Sequence, residues 1–131
     1  FLRDKWTMLY VGDGTCDERC RKALYLTRQS RIALNKDIDR LQRVFLATGQ
    51  QLDGAFLAQE HPDLLVLKLH GPDAARLIEP IPSYADGPVG SAGRIYLVDP
   101  LGNLLMSYPA SAPDKALLTD VKKLLRLSHI G

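Results

Sequence analysis

An excess of charge of one sign is the first thing this chain lacks. Its 17 lysines and arginines stand against 15 aspartates and glutamates, a formal net charge of +2. The basic residues are interspersed with acidic ones, so the chain raises no field of the kind that draws in nucleic acid. Long apolar runs are also missing: none approaches the roughly 18–20 residues of a membrane helix, and the N-terminus carries no signal-peptide pattern. There is no Ser/His/Asp arrangement, phosphate-binding loop or dinucleotide fingerprint, and no repeat or low-complexity tract. Cysteine is scarce, two residues in 131, which leaves the redox compartment open. The remainder, 46% hydrophobic and 24% charged, is the composition of one globular domain able to bury its own core without staples.

Both cysteines fall in one stretch, Trp6 to Ala23. The apolar run Trp6–Val11 reads as a strand, Gly12-Asp13-Gly14 as a tight turn, and Cys16 to Cys20 as a helix opening. Unpaired N–H groups and the positive end of the helix dipole favour a thiolate there. In a regular helix an i,i+4 pair has Cβ atoms roughly 5–6 Å apart, whereas a disulfide wants about 3.8 Å. The pair can therefore bond only if Cys16 lies in the loop or first turn. Two thiolates too far apart to bond can hold a soft copper(I) ion instead, and a pair of buried, idle thiols is the third reading. On its side of the helix Cys16 is expected to be the more exposed and nucleophilic thiol, with Cys20 as its resolving partner. Arg19, Arg21 and Lys22 favour thiolate, and Asp17 with Glu18 oppose it. Asp13 is either a proton acceptor for Cys16 or a turn former.

At these residues the chain resembles the Sco/SenC family, thioredoxin-like proteins that assist assembly of the copper site of cytochrome c oxidase. The resemblance rests on Lys5-Trp6 leading into an apolar strand, on Gly12 and on Thr15-Cys16-x-x-x-Cys20. Downstream it rests on Ile95-Tyr96-Leu97-Val98-Asp99-Pro100-Leu101-Gly102-Asn103, which is similar to the family's strand, Asp-Pro-x-Gly turn and strand. It implies a working pair of Cys16 and Cys20, either as a thiol–disulfide couple or as copper(I) ligands, with an oxidase subunit or another assembly factor as partner. It also implies an N-terminal membrane anchor, removed here since the chain starts at Phe1, and a place on the periplasmic face of a bacterial inner membrane. Two features depart from the family. Its copper-binding histidine falls on Ser91, and its prolines in or beside the cysteine motif are replaced by Asp17, Glu18, Arg19 and Arg21. A non-catalytic assembly adaptor that keeps the fold is therefore a further reading.

Along the rest of the chain, a helix is expected over about Asp17–Asn35, with polar Thr27–Arg31 as its outer face or a kink, then a polar linker Lys36–Arg40. Leu41–Ala47 reads as a strand parallel to the first, Leu52–Gln59 as a short helix stopped before Pro62, and Leu64–Leu69 as a third strand. Ala74–Glu79 adds one or two helical turns. Residues 80–93, rich in proline and glycine, form an irregular loop facing the cysteines. Arg94–Val98 and Leu104–Tyr108 make a hairpin about Asp99–Asn103. From Ser111–Asp114 a final helix carries the apolar stripe Leu117, Leu118, Val121, Leu124, Leu125 and Leu127. This order predicts a single α/β domain over 1–131, a thioredoxin-like sandwich with a mixed central sheet and helices on both faces. Met8 and Met106 are expected in the core. His61, His70 and His129 are expected at surface or capping positions, with His70 the first candidate for any third metal ligand.

Overall fold

The computed structural model describes residues 4–69, 76, 78–84 and 87–128. Five strands form one sheet: β1 (Trp6–Asp13), β2 (Leu41–Thr48), β3 (Leu65–Lys68), β4 (Arg94–Val98) and β5 (Leu104–Pro109), in the spatial order β3-β2-β1-β4-β5. β1 runs parallel to β2 from Trp6↔Leu41 to Asp13↔Thr48, β2 runs parallel to β3, and β4 is antiparallel to both β1 and β5. Helices with both ends among the described residues are α1 (Glu18–Ile32), α2 (Gly54–Glu60), the single turn α3 (Val89–Ala92) and α4 (Asp114–Leu127), with a 3-10 helix at Asn35–Arg40.

β1 is an unbroken apolar run because it is central and both of its faces are covered. Trp6, Met8 and Tyr10 point into the core shared with Leu24, Leu57, Leu117 and Val121 of α1, α2 and α4. Leu9 and Val11 point into a second core with Val44, Leu46, Val89 and Tyr96, as the period of two along a strand requires. The predicted mixed α/β, thioredoxin-like arrangement is therefore found, with β1 running two residues beyond the expected Val11.

Asp17 starts α1 as its N-cap, its carboxylate accepting from the Cys20 N–H at 3.0 Å. The polar stretch Thr27–Arg31 is neither an outer face nor a kink. α1 runs through it without a break, and Thr27 and Ser30 are buried. The reason is Arg43 on β2, whose side chain is fully buried beneath α1 and needs polar neighbours. Its guanidinium donates to the Leu24 carbonyl at 3.1 Å, the Thr27 hydroxyl at 3.2 Å and both carboxylate oxygens of Asp63 at 3.0 and 2.7 Å. A 3-10 helix opening at left-handed Asn35 replaces the expected polar linker.

Hairpin Asp99–Asn103 forms as predicted: the Asp99 carboxylate accepts from the N–H groups of Leu101 and Asn103, and Gly102 takes φ +90°. Two expectations fail at the periphery. Leu127 is 64% exposed, because the buried positions of α4 repeat every fourth residue, Leu117, Val121 and Leu125, and Leu127 lies about 200° around the helix from Leu125 at 3.6 residues per turn. Met106 is 37% exposed on edge strand β5, its sulfur 3.3 Å from the Tyr108 hydroxyl, which donates to the Asp120 carboxylate at 2.7 Å, and it does not fill core space. Ala74, Ala75 and Leu77 of the expected turn Ala74–Glu79 lie outside the described residues, and Arg76 and Ile78 are helical.

Candidate functional site

The cysteines lie where β1 ends and α1 begins, joined as a disulfide with Cα atoms 5.0 Å apart. Cys16 stands outside the helix with φ +50°, the left-handed region seldom used by residues with a side chain. That departure from helical geometry is what lets an i,i+4 pair close, as the spacing requires. The loop leading to it is pinned from two sides. Gly14 donates to the Thr48 carbonyl and accepts from the Asp53 N–H, and it approaches the Gln51 carbonyl so closely that a Cβ would collide. Cys16 N–H donates to the Asp13 carbonyl at 3.0 Å, and the Cys16 carbonyl accepts from Arg21 Nε at 3.1 Å.

The expected difference in exposure between the two sulfurs is not found. Cys16 and Cys20 are each 2% exposed, because the turn at Cys16 folds its side chain into the core that also receives Cys20. A cavity of about 150 Å³ opens beside them, lined by Tyr10, Asp13, Cys20, Arg19, Ser91 and Gly93 among others. The 80–93 segment thus meets the cysteine loop as predicted, through its α3 end. Arg19 fastens the contact. Its guanidinium donates to the Ser91 carbonyl at 2.6 Å and lies over Gly93, whose φ of +69° and lack of a Cβ make room for it.

Asp13 is a turn former: its carboxylate accepts from both the N–H and the hydroxyl of Thr15, and these bonds hold its pKa below the usual value. Tyr10, which sequence reasoning took only as strand, lines the cavity. Burial, with Asp17 nearby, pushes its hydroxyl up to about 12, so it stays protonated. Of the charges weighed earlier, Arg19 and Arg21 are bound to backbone carbonyls and Asp17 to the helix N-terminus.

His61 caps the C-terminus of α2, as expected of a histidine at a helix end, with its N–H donating to the Leu57 carbonyl, but its ring is buried and not at the surface. It is 3% exposed, and its Nδ1 sits 3.2 Å from both terminal nitrogens of Arg43. A guanidinium only donates, so Nδ1 accepts and the ring is neutral with its proton on Nε2. Burial, then the nearby Arg43 and Arg28, bring its pKa down to about 4. His70 and His129 lie outside the described residues.

Among the described residues the donor set does not fit a three-ligand copper site. Among the described residues no group of three or more His, Cys, Asp or Glu side chains could hold a metal ion. At Ser91 the neighbour is the Arg19 guanidinium, held against the carbonyl. Two sulfurs are what this loop offers a soft ion.

The fold has well-covered likenesses. Yeast Sco1 with copper bound superposes with a TM-score of 0.79 at 18% identity, over 97% of this chain and 82% of that one. Copper-bound ScoI of Bradyrhizobium japonicum gives 0.71 at 19%, over 93% and 86%. A thiol:disulfide interchange protein of the thioredoxin family from Chlorobium tepidum gives 0.67 at 17%, over 95% and 82%. At such identities the likeness is one of fold. No curated protein matches the sequence significantly. Among the described residues no helix is long and apolar enough to cross a membrane. Residues 6–128 match the family model described as transmembrane-like, thioredoxin-like, C-terminal domain, and the chain belongs to that family.

Proposed function

We propose that this domain is a thiol–disulfide protein whose working pair is Cys16 and Cys20, acting in assembly of the copper site of cytochrome c oxidase. The observation that carries the reading is a cysteine pair close enough to bond, at a helix mouth, against a cavity bounded by the segment that follows β3. In the reduced protein, Cys16 thiolate attacks a client disulfide, forming a mixed disulfide and releasing one client thiolate. Cys20 thiolate then attacks the Cys16 sulfur, releasing the second client thiolate and leaving Cys16–Cys20 oxidised. Two electrons pass to the client and the two thiol protons follow. A dithiol donor restores the pair by the reverse exchange.

The client in this reading is an oxidase subunit or another assembly factor, and the domain works on the periplasmic face of a bacterial inner membrane, tethered through an N-terminal anchor. Likeness in fold to copper-bound Sco proteins favours a second reading, copper(I) held by the two thiolates, which are soft ligands suited to it. Both are tested on one sample by titrating the pair in glutathione buffers with thiol alkylation and mass readout, and by competing copper(I) from a chelator. Reversible two-electron exchange with weak copper binding supports the first. Tight copper(I) binding supports the second, and failure of both leaves a non-catalytic adaptor.

A further inference from the structure

We propose that Arg21 is a positioning residue of the Cys16–Cys20 couple, holding Cys16 in the left-handed conformation that presents its sulfur to Cys20. The inference rests on the thiol–disulfide reading above and adds what keeps the pair poised when the covalent bond is open.

Once the disulfide is reduced, nothing covalent opposes relaxation of Cys16. A residue with a side chain at φ +50° has cheaper conformations nearby. Absorbed into α1, Cys16 would stand at helical i,i+4 spacing from Cys20, too far for ready closure. Two hydrogen bonds oppose this, one on each side of the residue. Its N–H is held by the Asp13 carbonyl, a bond internal to the turn. Its carbonyl is held by Arg21 Nε, and Arg21 is itself fixed from outside the loop. Its terminal nitrogen meets the Asp53 carboxylate at 3.1 Å, and its guanidinium carbon lies 4.0 Å from the centroid of the Phe56 ring. Asp53 is rigid in turn, since its carboxylate caps α2 through Phe56 N–H and its own N–H donates to Gly14. The bracket thus carries the placement of the β2–α2 loop onto Cys16. The Arg21 side chain is 47% exposed, so it contributes little to the core and can be removed with the fold intact.

A cation near two sulfurs has another possible effect, with the opposite sign. If Arg21 acted by charge it would stabilise thiolate and hence the dithiol, and its loss would favour the disulfide. If it acts as a bracket, its loss lowers the effective concentration of one thiol at the other and favours the dithiol. Lysine separates the two, because it keeps the charge and lacks the planar fork that reaches Cys16 and Asp53 together.

The experiment equilibrates wild type, Arg21→Ala and Arg21→Lys in buffers of set reduced and oxidised glutathione, traps free thiols by alkylation and counts them by mass. Two glutathiones supply the two electrons and protons that convert the disulfide to the dithiol. Both variants are expected to show a disulfide formation constant about tenfold lower than wild type, with unchanged circular dichroism and no rescue by lysine. A constant that rises in Arg21→Ala, or that lysine restores, overturns the bracket, and so does one equal to wild type. If the wild-type pair itself does not exchange with glutathione, the functional reading fails first, and that result is visible before any variant is compared.

Discussion

His61 makes stability depend on pH between about 6.5 and 4. Its ring is buried and neutral, accepting from Arg43, with a pKa of about 4 in the folded protein against 6.5 for a free histidine. The folded pKa is the lower one, so between the two values the unfolded chain binds a proton that the native protein refuses. The contribution is fully present above pH 6.5 and is lost as pH falls toward 4. At 1.36 kcal/mol per tenfold change in proton activity, the whole window is worth about 3 kcal/mol, and about 2 kcal/mol is gone by pH 5. The charges facing the ring are Arg43, Arg28 and Asp63, and Asp63 titrates below the window because its pKa is lowered, first by the hydrogen bonds from Arg43. The assay is urea unfolding at pH 7.0, 6.0 and 5.0 for wild type and His61→Asn, whose side-chain oxygen stands at the position of Nδ1, accepts from Arg43 and takes no proton. Every other group, His70 and His129 included, is common to both proteins, so the difference isolates the ring. The variant should lose about 2 kcal/mol less than wild type over that interval. Parallel losses would refute the argument that Arg43 and burial keep His61 neutral.

Other consequences are as direct. Asp63→Ala strips the fully buried Arg43 of its two carboxylate bonds and should destabilise by about 3 kcal/mol, a fall of about 10 °C in Tm; a shift under a few degrees would mean that the guanidinium finds water. Cys20→Ser should leave circular dichroism unchanged and trap Cys16 as a glutathione adduct, since no resolving thiol remains; equal adduct levels in wild type would deny Cys20 that role. Ser91→His should tighten copper(I) binding by about tenfold, near 1.4 kcal/mol, and further when combined with Arg19→Ala, which withdraws the cation now held at the Ser91 carbonyl. Chelator competition that shows no gain in either protein would point to a donor elsewhere in the chain.

The parts legible in the sequence were those that local chemistry decides. An apolar run, a glycine turn and an i,i+4 cysteine pair are enough to place β1, and to make a place for Cys16 in the loop or first turn the condition for a disulfide. Asp99 and Gly102 marked their hairpin because an aspartate and a glycine two to three residues apart build that turn by themselves. What stayed hidden depends on residues brought together by the sheet. Arg43 reads as a polar position in a strand, and its burial makes sense only with Asp63 and His61 some 20 and 18 residues on and Thr27 above it. For the same reason Thr27 and Ser30 passed for a surface or a kink. Arg19 and Ser91 are 72 residues apart, and nothing near either announces the contact that walls the cavity. The expected exposure of Cys16 is not met because position along a helix is a poor guide to solvent here: the turn that frees Cys16 from the helix also points it inward.

The placing of β1 has a mechanical meaning as well. Among the described residues it is the first strand in sequence and the middle strand in the sheet, paired with β2 over its eight residues on one side and with β4 from Thr7 to Tyr10 on the other. A pull entering through Asp4 acts along the strand, so the two ladders are loaded in shear, many hydrogen bonds sharing the force at once, and are not peeled apart one bond at a time. The strand that takes this load ends at the disulfide loop. Tension that drew it lengthwise would be felt at Asp13 and Gly14, where the geometry of Cys16 is set.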